Sequence, residues 1–204
     1  MEIKDRILQS AQGLFMRNGI KSVSMDDIAS HLAMSKKTLY KWFENKDQIV
    51  YGVMEHHLLL NKRECDVLSQ RASSAIEELF VMMGWMKKQF ADVHPSIFYD
   101  LQKYHPATWQ MWLKFKNQFI LNQIESNLQR GISEGLYRPD LDVDVLARLR
   151  LAEIELAFNP EVYPASQFEP RRVQLIHAEH FMLGLVTLEG YNLITQYRHL
   201  AEAK

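Results

Sequence analysis

Residues 24–43, SMDDIASHLAMSKKTLYKWF, restrict the chain's possible folds more than any other stretch. They hold two short apolar-periodic segments, each opened by a serine. Ser24 can cap the first, and Ile28, Ala29 and Leu32 then recur on one face at helical spacing. Asp27, three residues after Ser24, is an acid of the capping-box kind, although Glu or Gln is the better partner. Ala33-Met34-Ser35 interrupts the pattern, and Ser35 can cap a second segment that turns Leu39 and Phe43 inward. Two short helices joined by about three residues make a helix-turn-helix, whose second member can enter a DNA major groove. Here that member is KKTLYKWF, and its outward side presents Lys36, Lys37, Tyr40 and Lys41 to phosphates and base edges.

The distribution of charge agrees. The net charge of -1 over 204 residues is uninformative, but residues 1–50 hold eight Lys/Arg against six Asp/Glu, and 51–204 hold sixteen against nineteen. Four of those eight basic residues fall at 36, 37, 41 and 46, a local patch on an otherwise acidic chain. The single cysteine, Cys65, excludes a disulfide framework within one chain. The amino terminus MEIKDRILQS has no apolar core of signal-peptide length, and no long uncharged apolar run follows. The expected location is cytoplasmic, with no membrane partner.

The chain is expected to be all-α. Residues 3–18 predict a helix with Ile3, Ile7, Leu8, Ala11, Leu14 and Phe15 on one face, stopped at Asn18-Gly19. It would cover the apolar side of the helix-turn-helix. Asn45 is the expected cap of a linking helix that runs through Ile49, Val50, Val53, Met54 and Leu58 towards Arg63. The body reads as helices over Ala72 to Phe90, a short piece after Pro95, Pro106 to about Ser133, Val143 to Phe158, and Arg171 to about Tyr197. The expected organisation is a DNA-binding domain over 1–45, a shared linking helix over 46–63, and a helical regulatory and dimerisation domain over 64–204.

The order RILQSAQGLFMRNGIKSVSMDDIASHLAMSKKTLYKWFENKDQIV resembles the amino-terminal domain of the TetR family of bacterial transcriptional regulators. Ala11, Leu14, Phe15, Gly19, Ile28-Ala29, Thr38-Leu39-Tyr40, Phe43, Lys46 and Asp47 carry the likeness, and GISEGLYRPDLDVD (131–144) resembles a connection found in part of the family. The resemblance implies an all-α homodimer that represses transcription, with a DNA-reading head and a body enclosing a ligand cavity. It implies phosphate contacts at Ser35, Thr38, Tyr40 and Lys46. Lys36, Lys37 and Tyr40 would face the groove, with Lys41 and Trp42 flanking them. Position 26 reads a base in some relatives; here Asp26 either accepts from a cytosine N4 amine or keeps clear of phosphates.

In the body, an aromatic and methionine stripe would ordinarily be plain core. Met82/Trp85/Met86/Gln89 and Trp109/Trp112/Lys116 occupy wider arcs than one buried face needs, and Met82, Trp85, Met86, Gln89, Phe98, Trp109, Trp112 and Phe115 are candidates to line a cavity for a small apolar or amphipathic effector. His177 and His180 stand three apart but lack a clear third ligand, so they are expected as surface or interface histidines, and neither metal nor cofactor is expected. Leu149 and Leu156, with Phe181, Gly184, Leu185 and Leu188, are candidates for the interface of a homodimer, since the later set exceeds one helix face. Gly184 and Gly190 would permit close helix approach.

The expected partners are a palindromic double-stranded operator, a second copy, and a small-molecule effector. The rival readings are a ligand-independent regulator or activator, and an enzyme using the helical body. No Gly-rich phosphate loop, HExxH or nucleophile elbow supports the enzyme.

Overall fold

The computed structural model describes residues 2–89 and 93–202, and Phe90 lies outside them. The regular secondary structure of the described residues is helical, apart from an isolated antiparallel bridge between Tyr137 and Val186. They fall into two compact units, one from residues 1–61 and 92–115, the other from 62–91 and 116–204. The described residues from 93 to 115 therefore go with the head rather than with the body, where the sequence places them.

The first unit opens with α1 (Ile3–Asn18), which buries Ile7, Ala11 and Phe15 on one stripe. Gly19 ends it at φ 79°, a conformation that favours glycine. A Cβ there would also lie 2.7 Å from Ser96 Oγ, so that side chain would have to shift. Then come α2 (Met25–His31) and α3 (Lys36–Tyr40), followed by α4 (Lys46–Arg71). Asn45 Oδ1 accepts from Gln48 N at 3.0 Å, the cap expected of it. α4 runs to Arg71 rather than Arg63, so it contributes to both units.

After α6 (Ile97–Tyr104) and α7 (Pro106–Phe115), both in the first unit, the helical path changes to a π turn over Lys116–Ile120 and continues as α8 (Leu121–Ser133). The single helix expected from Pro106 to Ser133 is thus interrupted by wider i→i+5 bonding, which no local sequence signal marks.

In the second unit, α5 (Ala75–Gln89), α8, α9 (Val143–Leu156), α10 (Pro170–Leu185) and α11 (Leu188–Glu202) close on Ile76, Leu128, Tyr137, Ala147, Met182, Leu185 and Ile194. The final helix expected from Arg171 to Tyr197 is two helices. Val186 is extended, Arg138 N donates to Leu185 O, and Thr187 N donates to Leu136 O. Thr187 then caps α11, its Oγ1 accepting from Gly190 N at 3.2 Å. A Cβ on Gly190 would stand 2.2 Å from Leu136 O, so the close approach expected of this glycine is made to its own chain, while Gly184 has open space.

A buried polar network crosses this core. Tyr137 Oη donates to Asn127 Oδ1 at 3.0 Å, and Asn127 Nδ2 donates to Glu78 Oε2 and to Ala75 O, each at 3.0 Å. Ser69 Oγ donates to the other Glu78 oxygen at 2.6 Å. Each buried polar group thereby keeps a partner, which offsets the cost of removing it from water. Burial and the Glu78 charge together push the Tyr137 phenol well above its ordinary range, so it stays a proton donor.

Two of the expected interface residues are interior. Phe181 is 7% exposed and Leu185 1%, both inside the second unit's core, so neither side chain has surface left for a partner. α10 is apolar on more than one face partly because it packs on both α5 and α9. Leu149, Leu156, Gly184 and Leu188 are exposed, as are Val145, Ile176 and Leu183. Among the described residues no helix is long and apolar enough to cross a membrane.

Candidate nucleic-acid interface

The helix-turn-helix is built from local hydrogen bonds that its sequence dictates. Ser24 Oγ accepts from Asp27 N at 3.2 Å, and Asp27 Oδ2 accepts in return from Ser24 N at 2.8 Å, a complete capping box. The Ser24 hydroxyl, which donates to Asp27 Oδ2 at 2.6 Å, and the Ser24 N–H together hold the Asp27 carboxyl below its usual range. Because the folded value is the lower one, the box contributes stability above the ordinary carboxylate range and loses it as pH falls through the folded value.

Between the helices, Ala33 adopts φ 50°, the left-handed region that costs an L-residue about 1–2 kcal/mol. Ala33→Gly removes that cost and returns about 0.4–1 kcal/mol through a freer unfolded chain. The substitution should raise stability slightly, by up to about 1 kcal/mol. Urea unfolding of the two proteins checks it.

Ser35 caps α3, its Oγ accepting from Thr38 N at 3.0 Å and lying 2.8 Å from Thr38 Oγ1. The α-helix proper ends at Tyr40, shorter than KKTLYKWF suggests, because Lys41 N and Trp42 N bond back by tighter i→i−3 geometry. Leu39 and Phe43 are buried, and Ile28 and Ala29 of α2 are buried with them in the same unit. This leaves Ser35, Lys36, Lys37, Tyr40, Lys41 and Trp42 exposed together, with Thr38 half-buried. Tyr40 and Trp42 are 44% and 43% exposed, so both rings are open to a partner.

Three charged members of the expected set, Asp26, Lys36 and Lys46, are engaged by the protein itself. Asp26 binds Lys36, with Nζ to Oδ1 at 2.8 Å and to Oδ2 at 3.0 Å. Lys46 Nζ donates to Ile20 O at 2.5 Å and lies 6.0 Å from the Phe15 ring centre. Burial pushes its ammonium down, and Asp100, Asp47 and Asp27 act against that. A lysine on the first turn of a helix opposes the dipole. Closing the carbonyls after α1 is a reason for its presence that the sequence does not display.

The residues that sequence reasoning missed are those fastening residues 94–105 to the head. His94 N donates to Met16 O at 2.7 Å, Lys21 N donates to Asp100 Oδ2 at 2.9 Å, and His105 Nδ1 lies 2.6 Å from Asp47 Oδ1. Asp100 is 3% exposed, and a lone acid within IFYDLQKY is the one signal that could have marked it.

The cavity candidates divide between the units. On α5, Trp85 Nε1 donates to Glu64 Oε2 at 2.6 Å, Gln89 reaches the same oxygen at 3.4 Å, and Met86 sulfur accepts from Arg150 at 3.9 Å; Met82 is half-buried. In the first unit Phe98 and Trp112 have ring centres 5.1 Å apart, and Trp112 and Phe115 stack at 6.3 Å, with Trp109 half-buried. A cavity of about 500 Å³ in the first unit is lined by others, among them Lys4, Trp42, Tyr51, Glu55, His105 and Thr108. His177 Nε2 meets Tyr163 Oη at 2.8 Å, and among the described residues no three His, Cys, Asp or Glu side chains group to hold a metal ion.

An all-α chain whose head presents a capped second helix bearing lysines and an exposed tyrosine is a DNA-binding transcriptional regulator. Residues 7–51 match the family model described as bacterial regulatory proteins, tetR family. The chain is 26% identical to the HTH-type transcriptional regulator YvaF of Bacillus subtilis (strain 168) over 164 residues, covering 78% of this chain and 82% of that protein. It is 27% identical to the HTH-type transcriptional repressor KstR2 of Mycolicibacterium smegmatis over 148 residues, covering 71% and 72%. A crystal structure of a transcriptional regulator from Saccharomonospora viridis in complex with choline superposes with a TM-score of 0.72 at 20% identity, over 90% of this chain and 97% of that one. The likeness to the tetR family of bacterial regulatory proteins is thus carried by residues 7–51, the amino-terminal domain of the chain.

Proposed function

We propose that the chain is a homodimeric, cytoplasmic repressor that binds a palindromic operator and is released from it by a small apolar or amphipathic molecule held in the helical body. Two copies place Lys36–Phe43 in successive major grooves, where lysines supply salt-sensitive attachment and a few groove-facing side chains supply sequence choice. The observation that carries this reading is the exposed Lys37–Tyr40–Lys41 surface on a head whose helix α4 supplies residues to both units. A ligand that repacks the body helices displaces α4 and changes the separation of the two heads, so ligand and operator oppose each other.

Support for the dimer comes from Val145, Leu149, Ile176 and Leu183, apolar side chains left exposed on α9 and α10. The relative named a repressor, and the related fold crystallised with choline, support repression and a small effector. The combined Leu149→Glu, Ile176→Glu protein should sediment as a folded monomer and bind a two-fold duplex about a hundredfold more weakly, since linked half-site binding is lost. A variant that remains dimeric contradicts the placement of the interface. Molecules that raise the thermal midpoint should weaken operator binding, and unchanged operator affinity at saturation would sink the effector reading.

A further inference from the structure

The two acids that open α2 have different tasks. Asp27 turns back on Ser24 and completes the capping box. Asp26 makes no cap bond; it reaches across the turn to Lys36, the first residue of α3, at 2.8 Å. Both side chains are more than half exposed, 64% for Asp26 and 54% for Lys36, and they stand on the face that carries Lys37, Tyr40 and Lys41. A carboxylate here is repelled by every phosphate, and the ammonium it holds is neutralised before any DNA arrives. An exposed pair of this kind adds little to stability. What it changes is the charge that the reading helix offers to a duplex.

We propose that Asp26 is a stringency residue: it withholds Lys36 from the phosphates of non-cognate DNA and releases it where a cytosine N4 amine replaces Lys36 as the carboxylate's partner. Asp is an acceptor without a donor, and in the major groove cytosine offers it the N4 amine. The freed Lys36 then donates to guanine O6 or N7, the pairing that a lysine makes at base edges. On other sequences the ion pair stays closed, and Lys37 and Lys41 carry the salt-sensitive contacts. The proposal rests on α3 being the DNA-reading helix.

The test uses the full chain as wild type, Asp26→Asn, Lys36→Met and the double variant, with thermal melting to confirm that each is folded. Binding to a random-sequence duplex is followed by anisotropy between about 50 and 200 mM salt. Asp26→Asn should bind this duplex more tightly, and its plot of log K against log salt should steepen by about 0.9 per protomer, the release expected for one more neutralised phosphate. Lys36→Met should leave the slope near wild type, and Asp26→Asn should steepen it little in the Lys36→Met background. Selection from a random duplex pool should give the wild type a C·G preference at one fixed position in each half-site, and Asp26→Asn should lose it.

An unmoved slope in a wild-type-like binder overturns the proposal. So does an equal steepening with Lys36 absent, which would mean that Asp26 acts by long-range repulsion alone. A wild-type chain that binds no duplex overturns the reading of α3 itself, and with it this proposal.

Discussion

Gly131→Val should unfold the second unit, or leave it stable only at low temperature. A Cβ on Gly131 would stand 2.0 Å from Tyr137 Cδ2 and 2.2 Å from Cε2, far inside contact distance. The ring cannot move aside, because Tyr137 is 1% exposed and its hydroxyl is bonded to the buried Asn127. Nor can the turn retreat, since Gly131 O accepts from both Leu136 N and Tyr137 N. Overpacking in a filled core costs about 1–3 kcal/mol and occasionally more, and displacing Tyr137 would also leave the buried Asn127 Oδ1 without its donor. The expected loss is therefore at least about 3 kcal/mol, read as a fall in the urea midpoint. Gly184→Ala, where a Cβ meets nothing within 4 Å, should leave that midpoint unchanged or raised.

The second large effect is on binding with the fold intact. Lys37 and Tyr40 are exposed, so Lys37→Ala with Tyr40→Ala should melt like the wild type. A two-fold complex forfeits each interaction twice, and the expected weakening towards a selected operator is roughly a thousandfold. Removing Lys37 should also flatten the salt dependence, by about 0.9 for each phosphate that is no longer neutralised. Anisotropy titrations at two salt concentrations separate that electrostatic share from sequence choice. A double variant that binds the operator as tightly as the wild type would remove α3 from the interface.

The parts of this protein that its sequence displays are those governed by neighbours in the chain. Ser24, Ser35 and Asn45 cap the helices they precede, and the apolar spacing of Ile7, Ala11 and Phe15 or of Ile28 and Ala29 marks faces that are buried. Where the partner is distant, sequence reading goes astray. Nothing near Val186 announces a bridge to Tyr137, so α10 and α11 read as one helix. Lys46 reads as a surface cation because its partner, the Ile20 carbonyl, is separated from it by the whole helix-turn-helix. Asp100 and His105 read as parts of the body, and their bonds to Lys21 N and Asp47 give them to the head. Phe181 and Leu185 look like interface residues because α10 is apolar on several sides, and both are used within the protomer. On the reading surface, sequence finds Lys36 and Asp26 separately; their pairing depends on how α2 and α3 meet across the turn.

The central claim is that two copies read DNA together through α3. Selection of bound duplexes from a random pool by the purified wild-type chain tests it most directly. The expected result is an inverted repeat whose half-sites are centred about 10–10.5 bp apart, or a multiple of that spacing, and which the Lys37→Ala, Tyr40→Ala variant no longer enriches. Enrichment of a sequence without two-fold symmetry, or the same sequence recovered by that variant, would contradict it.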